Sequence, residues 1–396
     1  MEYKEYPISE LGEVIGGGTP STKNEEYYNG NISWITPKDL SGYDKRYIGY
    51  GSRNISALGL KKSSARLLPR NTVLLTSRAP IGYVAIAEKE LSTNQGFKNI
   101  ICNTDLILPE YLYYYLKVSK DELESVATGS TFKEVSGSTL KNFKIKIPEV
   151  KTQKKIINIL NKLDAKIENN LQMINNLEQI SQTLFKRWFI DLEFPNDEGQ
   201  PYKSSGGEMA ESELVEIPKG WEVKLFSDLM KFASGKRPSI KVTNKEENNP
   251  YPIIGASKIM GFTDNYLFDE DILIIGRVGT HGIVQRFNEK IWPSDNTLTI
   301  KSDYINLAFQ LLNRVDYKSL NRGSTQPLIT QKDMSNLKVA LPSEMNKLNK
   351  FENNLKVYAE MVFNIQNENR KLEQLRDTLL PKLLSGEIEI PDDLEV

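Results

Sequence analysis

Few residues in this chain are of a type that carries covalent or acid–base chemistry. Among 396 residues there is one histidine, His281, and one cysteine, Cys102. A zinc site or a Ser/His/Asp triad would have to be built on His281 or do without histidine. Within Gly279-Thr280-His281-Gly282 that residue reads as a turn or contact residue, not a base. Cys102 has no partner for an internal disulfide, which fits a reducing cytoplasm. The glycine-rich run Gly16-Gly17-Gly18-Thr19-Pro20 lacks the Lys-Ser/Thr of a phosphate loop and the spacing of a dinucleotide fingerprint. Asp392 and Asp393 are paired acids without a lysine at nuclease spacing. No catalytic constellation emerges. What remains is charge. The net value is only −1, but residues 36–100 hold 11 Lys and Arg against 4 Asp and Glu, net +7. Residues 191–216 hold 1 against 8, net −7, and residues 387–396 hold 0 against 5. Residues 217–343 carry 17 against 13. The acid is concentrated in a linker and a tail, so the globular parts are positive, as a polyanion partner requires.

The elements that must position these charges come in two copies. A heptad seam runs through Ile156, Leu160, Leu163, Ile167, Ile174, Leu177, Leu184 and Trp188. The same walk reads Phe351, Leu355, Tyr358, Val362, Ile365, Leu372, Leu379 and Leu383, each 195 residues on except Ile365, which falls 195 after Asn170 while Ile174 falls 195 before Asn369. These are the a and d positions of two long helices, at roughly 152–190 and 347–385. The units before them also repeat. Trp221-Glu222-Val223-Lys224-Leu225 stands where the Tyr6 segment stood, and Ser234-Gly235-Lys236-Arg237-Pro238 where GGGTP stood. Ser77-Arg78 corresponds to Gly276-Arg277, Gly129-Ser130-Thr131 to Gly323-Ser324-Thr325, and Pro148 to Pro342. Short apolar runs at 32–36, 72–76, 81–87 and 143–147 predict strands, and Pro109 opens a helix over 109–119. Asn249-Pro250-Tyr251-Pro252 lacks the second proline of an adenine-methylating motif and reads as a turn.

The expected fold is α+β, with two tandem mixed α/β units each followed by a long helix. The units take residues 1–150 and 217–343, and the helices take 151–190 and 344–386. A mobile acidic linker fills 191–216, and 387–396 forms an acidic tail. With no apolar run near 18 residues and no charged-then-apolar leader, a cytoplasmic protein is expected.

The segments GGGTPST and ISWITPKDL, the junction LFKRWFID, the linker PYKSSGGEM with IPKGW after it, and the ending LRDTLLPKLLSGEI are carried in this order. In that combination the chain resembles the DNA-specificity subunits of type I restriction-modification systems over nearly its whole length. The resemblance implies two target-recognition domains, each reading one half of a split double-stranded DNA sequence, on two helices that pair antiparallel and set the gap. It implies two methyltransferase subunits and restriction/translocase subunits as partners. S-adenosylmethionine, ATP and Mg belong to those partners and none to this chain, which is expected to be non-catalytic.

Cations meeting phosphates and polar side chains reaching base edges would supply affinity and selectivity. The first unit offers Lys38, Arg46, Arg53, Arg66 and Arg78, with Asn94 and Gln95. The second offers Lys236, Arg237, Lys258, Arg277, His281, Arg286 and Asn296. Polar breaks in the seams give a register. Asn170 facing Asn369 makes paired residue numbers sum to 539, sets Trp188 against Phe351, places Ser181 opposite Tyr358, and leaves Arg376 to snorkel outward near an end. The rival reading is a non-DNA coiled-coil adaptor with two protein-binding globular units. It explains the helices equally well but leaves the +7 block without a purpose.

Overall fold

The computed structural model describes residues 2–129, 133–279, 282–320 and 328–391. The chain divides into two compact units. One is Met1–Asn169 with Glu368–Val396, the other Asn170–Asn367. Each unit therefore contains one recognition domain together with segments of both long helices, Val150–Phe185 and Met345–Ser385.

In the first unit the strand Tyr3–Pro7 pairs antiparallel with Lys144–Pro148, Tyr3 opposite Pro148, so the two ends of the recognition domain are tied together. A five-stranded sheet follows in the order Gly12–Gly16, Phe97–Cys102, Val73–Ser77, Ile81–Ala87, Tyr47–Ile48. Its central strand Val73–Ser77 is buried at every position, and Val73, Leu74 and Leu75 give it the apolar run seen in the sequence. A second sheet sets Tyr28–Ile35 between Arg53–Ile55 and Ser92–Thr93. Pro109 opens a helix to Val118, as expected of a residue with no N–H to satisfy. Its Tyr111, Leu112 and Leu116 join Ile8, Ile100, Ile156, Leu160 and Leu383 in one core.

The second unit repeats the plan with different lengths. Trp221–Leu225 pairs with Lys338–Pro342, Trp221 opposite Pro342. A four-stranded sheet runs Lys231–Ser234, Thr297–Lys301, Ile272–Gly276, Val284–Phe287, and a three-stranded one runs Ile259–Thr263, Tyr251–Ile254, Trp292–Pro293. The turn expected at Asn249–Pro252 falls earlier, between Glu246 and Asn249, whose backbones bond to each other, and Tyr251 and Pro252 belong instead to the strand Tyr251–Ile254.

Within each unit the helix segments run antiparallel. In the second, the Phe351 ring lies 4.7 Å from that of Phe189 and 5.2 Å from that of Trp188. In the first, Ile156, Leu160, Leu380, Leu383 and Leu384 share the core. Asn170 and Asn369 are each buried, 1% and 5% exposed. Two details of the seam differ from expectation. Arg376 does not snorkel outward; its Nη1 donates to Asp164 at 3.0 Å, and the two side chains are 17% and 15% exposed. Asp164 lies beside the apolar Leu163, so a buried carboxylate was within reach and a charge-assisted bond replaced hydration. Ser181 satisfies itself on its own helix by donating to the Leu177 carbonyl, 2.9 Å.

The polar stretch 191–216 is folded, not a loose tether. After a π-helical turn at Lys186–Ile190, Phe194 is buried with its ring stacked between Tyr202 (4.6 Å) and Trp221 (5.2 Å). Asn196 Oδ1 accepts from Glu198 and Gln200 N–H, Met209–Ala210 pairs with Ile217–Pro218, and Lys219 bonds Glu208. Two aromatic anchors outweigh the polarity of the residues between them. The acidic segment after 386 is likewise held by apolar contact: Ile388 and Ile390 pack on the first unit's core, and Lys155 Nζ donates to the Pro391 carbonyl. Asp392 and Asp393 lie outside the described residues. Among the described residues no helix is long and apolar enough to cross a membrane.

Candidate nucleic-acid interface

Two loop pairs, one per unit, carry five of the fourteen residues singled out by the sequence: Asn94 and Gln95 in the first, Lys236, Arg237 and Asn296 in the second. In the first, Gly17 N–H donates to Phe97 O and Gly18 N–H to Thr93 O. In the second, Gly235 N–H donates to Thr297 O and Lys236 N–H to Pro293 O. The glycine loop therefore lies directly on the turn that holds Asn94 and Gln95, or Asp295 and Asn296. A Cβ on Gly17 would sit 1.8 Å from the Asn94 carbonyl oxygen, and one on Gly235 would sit 2.1 Å from that of Ser294. Close backbone approach is what the glycines supply. Asn94 turns its side-chain oxygen back to Gly96 N–H (2.9 Å), while exposed Gln95 accepts from the Thr19 hydroxyl.

The same hydrogen bonds correct the repeat alignment by one residue. Ser77 N–H donates to Gly96 O and Ser77 O accepts from Val135 N–H. Arg277 N–H donates to Asn296 O and Arg277 O accepts from Ile329 N–H. Ser77, not Arg78, is the counterpart of Arg277. Arg78 stands half-exposed 3.7 Å from Glu134, which Lys98 also contacts at 3.0 Å. Arg277 keeps its Nε buried and without a partner among the described residues.

The remaining cations divide into two groups. Lys38, Arg66, Lys236, Arg237 and Lys258 are exposed, with no ion pair among the described residues. Arg53 is exposed with its guanidinium 4.5 Å over the Tyr28 ring, a fixed and partly desolvated perch. Around it Asn29, Gly30, Gly51, Ser52 and Asn54 form a polar recess of about 240 Å³. These neighbours were missed in the sequence. The signal was Asn29-Gly30, since Asn29 takes φ 58.

Arg46 and Arg286, expected at DNA, are instead engaged internally. Arg46 Nη1 donates to Tyr114 Oη at 3.0 Å and to Asn161 Oδ1 on the first long helix. Arg286 donates Nε to Asp271 (2.8 Å) and Nη1 to Asn306 Oδ1 (2.6 Å). Arg286 grips Asp271 bidentately through Nε and Nη2, whereas Arg46 makes both its bonds from Nη1. His281 lies outside the described residues, as do Ser130, Thr131 and Gly323-Ser324-Thr325. Burial and then the Asp164 carboxylate push the Tyr114 hydroxyl far above its ordinary range. Tyr47 is pushed up to about 12 by burial and by its bond to Glu110.

Residues 1–179 and 218–374 both match the family described as "Type I restriction modification DNA specificity domain". The chain is 37% identical to the type I restriction enzyme MjaIX specificity subunit of Methanocaldococcus jannaschii, over 97% of this chain and 93% of that one. It is 27% identical to the HindI specificity subunit of Haemophilus influenzae, over 72% and 79% of the two chains. The crystal structure of the type I restriction-modification system S subunit from M. genitalium superposes with a TM-score of 0.59 at 16% identity, covering 97% and 96%, a likeness of fold. Two matched domains in tandem, each on a repeated scaffold with unlike surface loops, place this chain in the family of type I restriction enzyme specificity subunits, which give the enzyme its DNA sequence specificity.

Proposed function

We propose that each recognition domain reads one half of a bipartite, asymmetric DNA target and that the paired helices set the gap between the halves. The observation that carries this is the duplicated scaffold: the loop seated by Gly17 and the loop seated by Gly235 have the same backbone bonds and different side chains. One architecture with two sets of side chains suits two different half-sites. The contact set we propose is Lys38, Arg53, Arg66, Arg78, Asn94 and Gln95 in the first domain. In the second it is Lys236, Arg237, Lys258, Arg277, His281 and Asn296. Cations bind phosphates and the amides, with Arg53 and Arg277, reach base edges. Arg46 and Arg286 are left out because their guanidiniums are already bonded.

The chain works in this reading without a cofactor of its own, in the cytoplasm, assembled with two methyltransferase subunits and with restriction/translocase subunits. S-adenosylmethionine, ATP and Mg serve those partners. Sequencing of methylated bases in cells expressing the complete system tests it. The expected result is one split motif with a fixed gap; a continuous motif would refute the bipartite reading.

A further inference from the structure

In each unit a run of charge-assisted hydrogen bonds joins the recognition domain to the long-helix segments, and the two runs use different parts of the repeated scaffold. In the first unit Arg46 stands just before the strand Tyr47–Ile48 and bonds both Tyr114 and Asn161. Tyr114 donates to Asp164 on the first long helix, and Arg376 of the second donates to the same carboxylate at 3.0 Å. The guanidinium of Arg46 also lies 5.1 Å from the Tyr47 ring centroid and 5.8 Å from that of Tyr114. In the second unit Glu352 on the second long helix accepts the N–H of Asn306 and of Leu307, each at 3.0 Å, and Asn306 Nδ2 at 2.6 Å. It caps the helix Ile305–Leu312 from outside. Asn306 passes the connection to Arg286 on the strand Val284–Phe287, and Arg286 to Asp271.

We propose that Arg46 and Glu352 are positioning residues: each fixes the angle at which its recognition domain is held on the helices, and so the gap between half-sites that the assembled enzyme accepts. This rests on the bipartite reading above. Apolar packing between a domain and a helix is non-directional and tolerates sliding, whereas a planar guanidinium between two acceptors, or a carboxylate holding three N–H groups, defines one orientation. Neither residue needs to touch DNA to act.

The test uses the full chain assembled with the methyltransferase subunits of its own system. Methyl transfer is measured on duplexes carrying the native gap and gaps one base pair shorter and longer, for the parent, Arg46→Met, Arg46→Lys and Glu352→Gln. Arg46→Met removes the bonds and the charge. Glu352→Gln is isosteric but sets an amide N–H₂ against backbone donors, so it carries the test if Arg46→Met melts early. The expected result is a rise of about tenfold in the rate on off-length gaps relative to the native gap, the scale of one lost charge-assisted bond. Arg46→Lys restores part of the discrimination. The bases read in both halves, and the dependence of binding on salt, stay those of the parent. An equal fall on all three gaps would overturn the proposal, and so would a salt slope lowered by one contact in Arg46→Met, which would put Arg46 on a phosphate. A parent that methylates a continuous sequence would instead refute the bipartite reading before any variant is compared.

Discussion

A methyl group added at Gly17 meets the backbone of Asn94, and one added at Gly235 meets that of Ser294, while one at Gly16 has nothing within 4 Å. Carbonyl oxygens of a hydrogen-bonded turn cannot step aside as a flexible side chain can. Gly17→Ala and Gly235→Ala should therefore each cost about 1–3 kcal/mol, and Gly16→Ala within about 0.5 kcal/mol, read as shifts in urea midpoint. Equal effects at 16 and 17 would remove the close-approach explanation. Tyrosine titration gives a second expectation. Tyr47 and Tyr113 are raised from 10.0 to about 12, chiefly by burial. A folded value above the unfolded one means that the unfolded chain releases its proton first as pH rises. The stability these phenols contribute is thus complete below about pH 10 and lost between about 10 and 12. Urea melts should be flat from pH 7 to 9 and fall steeply above 10; a rise in that window would contradict the burial.

At the scale of elements, the heptad seam was legible because a 3.5-residue period survives any amount of surface change, and the two long helices it marks run over Val150–Phe185 and Met345–Ser385. Leu177→Cys with Val362→Cys, in a Cys102→Ser background, should oxidise to an internal disulfide, whereas Leu177→Cys with Leu355→Cys should not, being a heptad, about 10 Å, out of register. The reverse pattern, seen on non-reducing gels, would discard the sum of 539. Strands Val73–Ser77 and Ile81–Ala87 were legible as apolar runs; Gly12–Gly16 was not, since Gly-Glu-Val-Ile-Gly has turn residues at both ends and one charge inside. The folding of 191–216 was hidden for a related reason: composition averages over a segment, and two rings, Phe194 and Tyr202, decide its fate. Charge told where cations are dense but not where each one points. Arg46 and Arg286 were indistinguishable from Arg53 until Asn161, Tyr114 and Asp271 were in view.

For the whole molecule, DNA affinity should fall by about 0.9 log units per phosphate contact for each tenfold rise in salt, measured by gel shift. A flat dependence would remove the proposed cations. Replacing residues 1–150 by another family member's should change one half of the methylated motif and leave the other half and the gap unchanged; a changed gap would show that the helices are not the ruler. Matched insertion of seven residues in both helices should lengthen the gap by about 3 bp.

The first unit is built from both ends of the sequence. Ile8, Tyr111 and Ile156 share their core with Leu380, Leu383 and Ile390, and Tyr3 Oη donates to the Leu383 carbonyl. The second unit is closed by the contiguous stretch Asn170–Asn367. On the ribosome, at about 5–20 residues per second, the domain made first therefore waits on the order of 10–40 s for its last core residues, with that apolar seat open. The domain made second can close before the first does, so the order of synthesis and the order of completion are opposite. A chaperone that binds exposed leucine and isoleucine should meet the nascent chain at the first unit, and a fragment ending at residue 367 and released from the ribosome should show the second unit protease-resistant while the first is still cut.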